Sequence, residues 1–125
     1  MSSMNLTFGG GWDNVEPQFK NLLEMFEGES LLDIEEKGAE VIAVKAREEY
    51  VPVDTGELQN SIEVRRDGGA VLVGAGTDHA IPVEFGTSKM EAQPFLRPAS
   101  ENHTLEVEEA MKAEAIKKAS EFTED

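Results

Sequence analysis

Asp54-Thr55-Gly56 is the triplet in this sequence with the clearest capacity for chemistry. An Asp-Thr-Gly after an apolar run marks aspartic proteases, where two such aspartates share a proton across a homodimer. The surroundings argue against that use. Pro52 interrupts the run where a strand is needed, and Leu72-Val73-Gly74, the one downstream apolar-apolar-Gly segment, follows too soon. Helix-patterned segments also flank the triplet, whereas that protease fold is nearly all β. A homodimeric aspartic protease is therefore kept as the alternative from the enzyme class. The main expectation is structural: Asp54 or Thr55 accepts from the amides that follow, and Glu57 answers from the third position.

The remaining reactive side chains form no constellation. His79 and His103 are the two histidines, and neither has a partner ligand one helical turn away. Gly74-Ala75-Gly76 lacks the third glycine and the following helix of a dinucleotide fold. No Gly-x-Ser-x-Gly is present, and no serine has an identifiable base. Glu108, Glu109 and Glu114 read as a solvated helix face, and Arg65-Arg66 as an exposed strand edge. With no cysteine there is no disulfide, thiolate metal site or thiol nucleophile. The residues thus point to a protein that is not an enzyme, with no catalytic residue, metal or cofactor.

Composition narrows the partners. The 125 residues suit one domain. Acidic residues number 26 against 11 basic, a net charge of −15, which opposes binding to nucleic-acid phosphates or anionic membranes. That charge keeps a subunit soluble; it would also let DNA pass along a wall without sticking. Met1-Ser2-Ser3-Met4-Asn5 has neither the basic start nor the apolar run of a signal peptide, and no apolar segment reaches membrane-span length. The expectation is synthesis in the cytoplasm and no membrane.

The elements that would position these residues follow from periodicity. Residues 1–14, with Phe8-Gly9-Gly10-Gly11-Trp12, read as a flexible N-terminal arm, and 15–125 as a single domain. Pro17 to Tyr50 is helical, with an interruption at Gly28. Leu31, Ile34, Gly38, Val41, Ile42 and Ala46 form the apolar face, and Glu35, Glu36, Lys37 and Glu40 lie among the polar residues opposite. Pro52 ends it. Leu58 and Ile62 should point inward together. Ile62–Arg66 alternates as a strand, Asp67-Gly68-Gly69 turns, and Ala70–Ala75 returns as a central strand. Ala80–Phe85 is a strand or short helix. Gly86–Gln93 is a loop, and Pro94 and Pro98 step into a helix from Ala99 to about Ser120 whose apolar residues include Leu105, Val107, Met111, Ala115 and Ile116. The fold class is α+β: a small antiparallel sheet packed by a long N-terminal and a long C-terminal helix.

Three short motifs in order carry a resemblance. Val51-Pro52-Val53-Asp54-Thr55-Gly56-Glu57-Leu58, then Val83-Glu84-Phe85-Gly86-Thr87, then Gln93-Pro94-Phe95-Leu96-Arg97-Pro98-Ala99 are similar to the small tail-component, head–tail joining family of long-tailed phages, typified by gene product ten of phage HK-ninety-seven. Where relatives often place an aromatic before the alanine, this chain has His79-Ala80. The resemblance implies a virion structural protein at the head–tail joint or tail end, without enzymatic activity. It further implies assembly as a ring, commonly of six copies, between connector and tail-tube proteins, with DNA passing through the lumen. Its structural motif residues would be Asp54, Thr55, Gly56, Leu58, Glu84, Phe85, Gly86, Thr87, Pro94, Phe95, Arg97 and Pro98. Gly86-Thr87 and Pro94-Phe95 would shape a rigid exposed loop, anchored by Phe95 and Leu96. A minor tail or neck subunit at another axial position is the nearest alternative.

Overall fold

The computed structural model describes residues 17–52, 56–77 and 80–121, and the backbone of 4–8. Strand β1 (Met4–Phe8) comes first, followed by helices α1 (Pro17–Leu23) and α2 (Gly28–Lys45). Proline suits the first helical position of α1, where its missing amide would be unpaired anyway. Residues 24–27 separate the two helices, and Gly28 opens α2 at a φ of +61°, a left-handed conformation that glycine adopts without penalty.

Helix α2 ends in a π-helical turn (Ala46–Tyr50), closed by the Val51 amide donating to the Ala46 carbonyl. Val51 is extended at φ −73°, ψ 133°, as a residue preceding Pro52 must be. Helix α3 (Glu57–Ser61) leads into β2 (Ile62–Asp67). The Gly68-Gly69 turn, with both φ values positive, then leads into β3 (Ala70–Ala75). Helices α4 (Ala80–Phe85), α5 (Leu96–Glu101) and α6 (Thr104–Glu121) complete the chain.

The class is α+β. The sheet is antiparallel in the order β1-β3-β2, with Val73 opposite both Leu6 and Val64. Helix α2 packs on β2 and β3 and also on α6, so it is the element every layer touches. Its Ile34, Ala39, Ile42 and Ala43 join Val71, Val73, Phe95, Leu96 and Met111 in one core. Leu58 and Ile62 are buried together as expected, and β3 is central.

Four expectations need correction. Residues 4–8 do not belong to a free arm; they pair with β3 over its length from Val71 to Ala75. The C-terminal helix is two helices, because the chain leaves helix at Asn102-His103 between α5 and α6. Leu105 and Ile116 are not part of the buried face of α6: they are 73% and 60% exposed, while Val107, Met111 and Ala115 are inside. Glu35 is not on a solvated face. It is 6% exposed, because α2 is packed from two directions and its buried arc extends past the apolar stripe. Burial pushes its carboxyl above the usual carboxylate range.

Arg66 lies exposed on the edge strand β2, as expected, and its guanidinium reaches Glu36 and Asp33 at 2.6 Å and Glu29 at 2.9 Å on α2. Asp33 in turn takes the Lys118 ammonium at 2.7 Å, which ties sheet, α2 and α6 at one corner. Lys118 and Arg66 hold the Asp33 carboxyl below its ordinary value.

Candidate assembly site

The most constrained exposed feature is the segment from α4 to the start of α5. In α4, Ala80 and Glu84 lie one turn apart and face inward, at 0% and 2% exposure. Ile81 and Phe85 repeat the same spacing one residue on, and point outward at 39% and 57% exposure. Six residues thus present an apolar pair to solvent while burying a carboxylate.

That buried carboxylate closes the loop. Glu84 Oε1 accepts from the amides of Phe95 and Leu96 at 2.9 Å, and Oε2 from the amide of Arg97 at 3.3 Å. These are the first amides of α5, which have no carbonyl partner within the helix. Glu84 therefore satisfies from a distance of eleven residues what a local cap ordinarily would. Around it the loop is pinned at several points. The Gly86 amide donates to Pro82 O and the Gln93 amide to Val83 O, both at 2.7 Å. Thr87 and Met90 exchange backbone bonds, and Thr87 Oγ1 accepts from the Lys89 amide at 3.2 Å.

Gly86 is required here. Its φ is +77°, and a Cβ would stand 2.8 Å from the Ala92 amide nitrogen and 3.0 Å from the Met90 carbonyl oxygen. Beyond the loop, Phe95 and Leu96 are fully buried and anchor it to the body, while Pro94 is exposed. Pro98 falls in the first turn of α5, where no donor is missed. The Arg97 guanidinium stands 5.8 Å from the centroid of the Phe85 ring, within cation–π range.

The structure thus brings Glu84, Phe85, Gly86, Thr87, Pro94, Phe95, Arg97 and Pro98 into one clamped unit. Gly56 and Leu58 serve elsewhere, on α3 against β2, β3 and the π-helical turn. The residue just before α3 is Gly56, at φ +82°. Asp54, Thr55, His79 and Trp12 lie outside the described residues. Ile81 and Met90, the latter 38% exposed, were not apparent as surface residues from sequence. Spacing one helical turn from Phe85 was the one signal for Ile81. Nothing local signalled Glu84 as the clamp.

A second polar cluster stabilises the break between α5 and α6. His103 Nε2 lies 3.0 Å from Tyr50 Oη, and Nδ1 lies 2.9 Å from Glu106 Oε1. Glu106 also pairs with Lys45 at 3.1 Å, and these two partners hold its carboxyl below the ordinary value. The cluster joins the π-helical turn of one helix to the start of another.

Charge is distributed unevenly around these features. Residues 80–99 contain two acids, Glu84 and Glu91, and two bases, Lys89 and Arg97, so the whole net charge of −15 lies elsewhere. With Glu84 enclosed, the exposed charges of residues 80–99 are Lys89, Arg97 and Glu91.

The chain belongs to the family described as "Bacteriophage HK97-gp10, putative tail-component", whose model matches residues 13–86. The match takes in α1 to α4 and ends at Gly86, so the 93–99 motif lies beyond it. No curated protein and no solved structure gives a significant match. No described helix is long and apolar enough to cross a membrane.

Proposed function

We propose that this chain is a virion structural subunit at the phage head–tail junction or the tail end, acting by homo-oligomeric ring assembly. The observation that carries the reading is the exposed apolar set Ile81 and Phe85 on α4 and Met90 on the following loop, a segment fixed to the core through Glu84. A ring subunit needs a protruding surface whose shape does not depend on the partner, since ordering a loose loop would cost binding energy. Repeating one head-to-tail contact closes a ring when the rotation per copy divides a full turn. Six copies, as the family resemblance implies, is the expected number in the virion, with connector and tail-tube proteins above and below.

The acidity supports the same reading. A lumen lined by carboxylates repels DNA phosphates, which lets the genome pass without specific binding. The subunit needs no catalysis for this role. The helical elements on both sides of residues 53–55 and the small sheet do not favour an aspartic protease. Asp54→Asn should therefore leave assembly intact.

The test is capping of purified tail tubes, seen by negative-stain imaging. Wild-type protein is expected to occupy tube ends, and Phe85→Ser, whose site is mostly exposed, to fold normally and fail to do so. Equal capping by both would overturn the assignment of this face.

A further inference from the structure

Helix α6 carries a second apolar surface that the fold does not use. Val107, Met111 and Ala115 face the core, while Leu105 and Ile116 point outward at 73% and 60% exposure. Between them stand Glu109 and Lys112. The spacing of four, three and four residues draws Leu105, Glu109, Lys112 and Ile116 into one seam about three turns long. Glu109 is exposed; Lys112 is half-buried at the flank of the seam, its ammonium 5.8 Å from the centroid of the Phe19 ring. We infer that this seam docks the same seam of a second copy, with the two α6 helices antiparallel about a two-fold axis at the level of Ala110 and Met111.

The order of the residues selects that occupant. Reversing the seam about its midpoint sets Leu105 against Ile116 and Glu109 against Lys112 of the other copy, and the two-fold repeats both layers. Each layer then pairs apolar with apolar or acid with base. A parallel pairing would set Glu109 on Glu109 and Lys112 on Lys112, and like charges oppose it. The rest of the helix has the same polarity. Residues 104–111 hold Glu106, Glu108 and Glu109 and no base, whereas residues 112–121 hold Lys112, Lys117 and Lys118 with two acids. Antiparallel copies bring the acidic half of one helix against the basic half of the other. That offsets locally the repulsion that a charge of −15 on each copy sets up elsewhere. Ala113, exposed beside the seam, leaves room for the helices to approach. A two-fold contact closes on itself and cannot build a ring, so this surface is separate from the face carried by Phe85. So short a seam buries less than a standard interface, and the dimer is accordingly weak and forms at high concentration.

The chain has no cysteine, so disulfide trapping reads the register directly. Leu105→Cys and Ile116→Cys, both at exposed sites, would be made singly and together, checked for folding by circular dichroism, and oxidised at high concentration. The doubly substituted chain is expected to stop at a dimer, the mixed single variants to give a heterodimer, and neither single variant alone to cross-link. Leu105→Cys linking to itself would show a parallel pairing, and a ladder beyond the dimer would show a head-to-tail contact. Either overturns the inference, as does the absence of any cross-link. The double variant should trap equally well in a Phe85→Ser background, because the ring face takes no part; loss of the cross-link there overturns the inference too. Rings without the 105–116 link would refute this contact alone, and the link without rings would refute only the ring reading. As a check on the charges, Glu109→Lys and Lys112→Glu should each weaken dimerisation about tenfold by sedimentation velocity. An equimolar mixture of the two should restore it, since acid again meets base in both layers; failure of that restoration counts against the pairing.

Discussion

Replacing Glu84 tests whether the loop is clamped as the geometry states. In Glu84→Ala, the amides of Phe95 and Leu96 lose their acceptor inside the protein, and the partly buried amide of Arg97 loses a longer bond. A buried donor left unsatisfied costs about 1–3 kcal/mol. Two such donors, with some relief from water entering the space, give a loss of about 3 kcal/mol. Against a typical domain stability of about 5–15 kcal/mol this is a large share. Glu84→Gln is the informative control. Its carbonyl oxygen can replace Oε1 and keep both 2.9 Å bonds, while its amide group faces the Arg97 amide, already the weakest partner at 3.3 Å. The cost should be about 1 kcal/mol, that of one lost hydrogen bond. Urea unfolding measures both, and thermal unfolding should follow at about 4 °C per kcal/mol for a chain of this size. Hydrogen exchange at Thr87, Met90 and Gln93 should accelerate in the alanine variant, since those amides belong to the loop that Glu84 closes. An alanine variant within about 1 kcal/mol of wild type, or a glutamine variant as damaged as alanine, would refute the reasoning.

Three further outcomes follow from other sites. Gly86→Ala should destabilise by more than the about 1–2 kcal/mol of a left-handed residue, because its Cβ also meets backbone at 2.8 Å; Gly68→Ala, at φ +58° with open space around it, should show the conformational cost alone, and equal melting temperatures for the two would contradict this. Asp33 has a folded carboxyl pKa held below its ordinary 3.8, so its contribution is present above that value and lost as pH falls through the lower folded one; Asp33→Asn should flatten the acid limb of a melting-temperature profile, and an unchanged limb would count against the Lys118–Asp33–Arg66 bridge. Glu35 has the opposite sign. Its folded pKa is raised above 4.5, so the charged form opposes folding at neutral pH and relief comes as pH falls; Glu35→Gln should be neutral or stabilising at pH 7, which unfolding in urea would show.

Much of this architecture was legible in the chain. The alternation of Ile62–Arg66, the Asp67-Gly68-Gly69 turn and the apolar Ala70–Ala75 specify a hairpin through local chemistry, and they form one. The four-residue spacing of Ile34, Gly38 and Ile42 specifies which side of α2 is buried. What escaped depends on distant partners. Strand β1 has five residues beside a run of glycines, and its pairing rests on an edge of β3 some 65 residues away in sequence. The break at Asn102-His103 had a local signal in the weak helix formers Asn102, His103 and Thr104, but it is stabilised by Tyr50, 53 residues earlier. Glu35 was misplaced because periodicity reports one buried face, whereas α2 has neighbours on two. Of the candidate site, the loop and its anchors Phe95 and Leu96 could be read from Gly86, Pro94 and the family motifs. The clamp through Glu84 could not, because a carboxylate that caps a helix eleven residues later leaves no pattern of its own.

The ring itself is the central claim, and the most direct measurement is light scattering with negative-stain imaging of concentrated wild-type protein, in parallel with Phe85→Ser. Closed rings with a central hole, of one defined mass, are predicted for the wild type, and none for the variant. Wild-type protein that stays monomeric at every concentration and does not form rings on purified tail tubes would contradict the account.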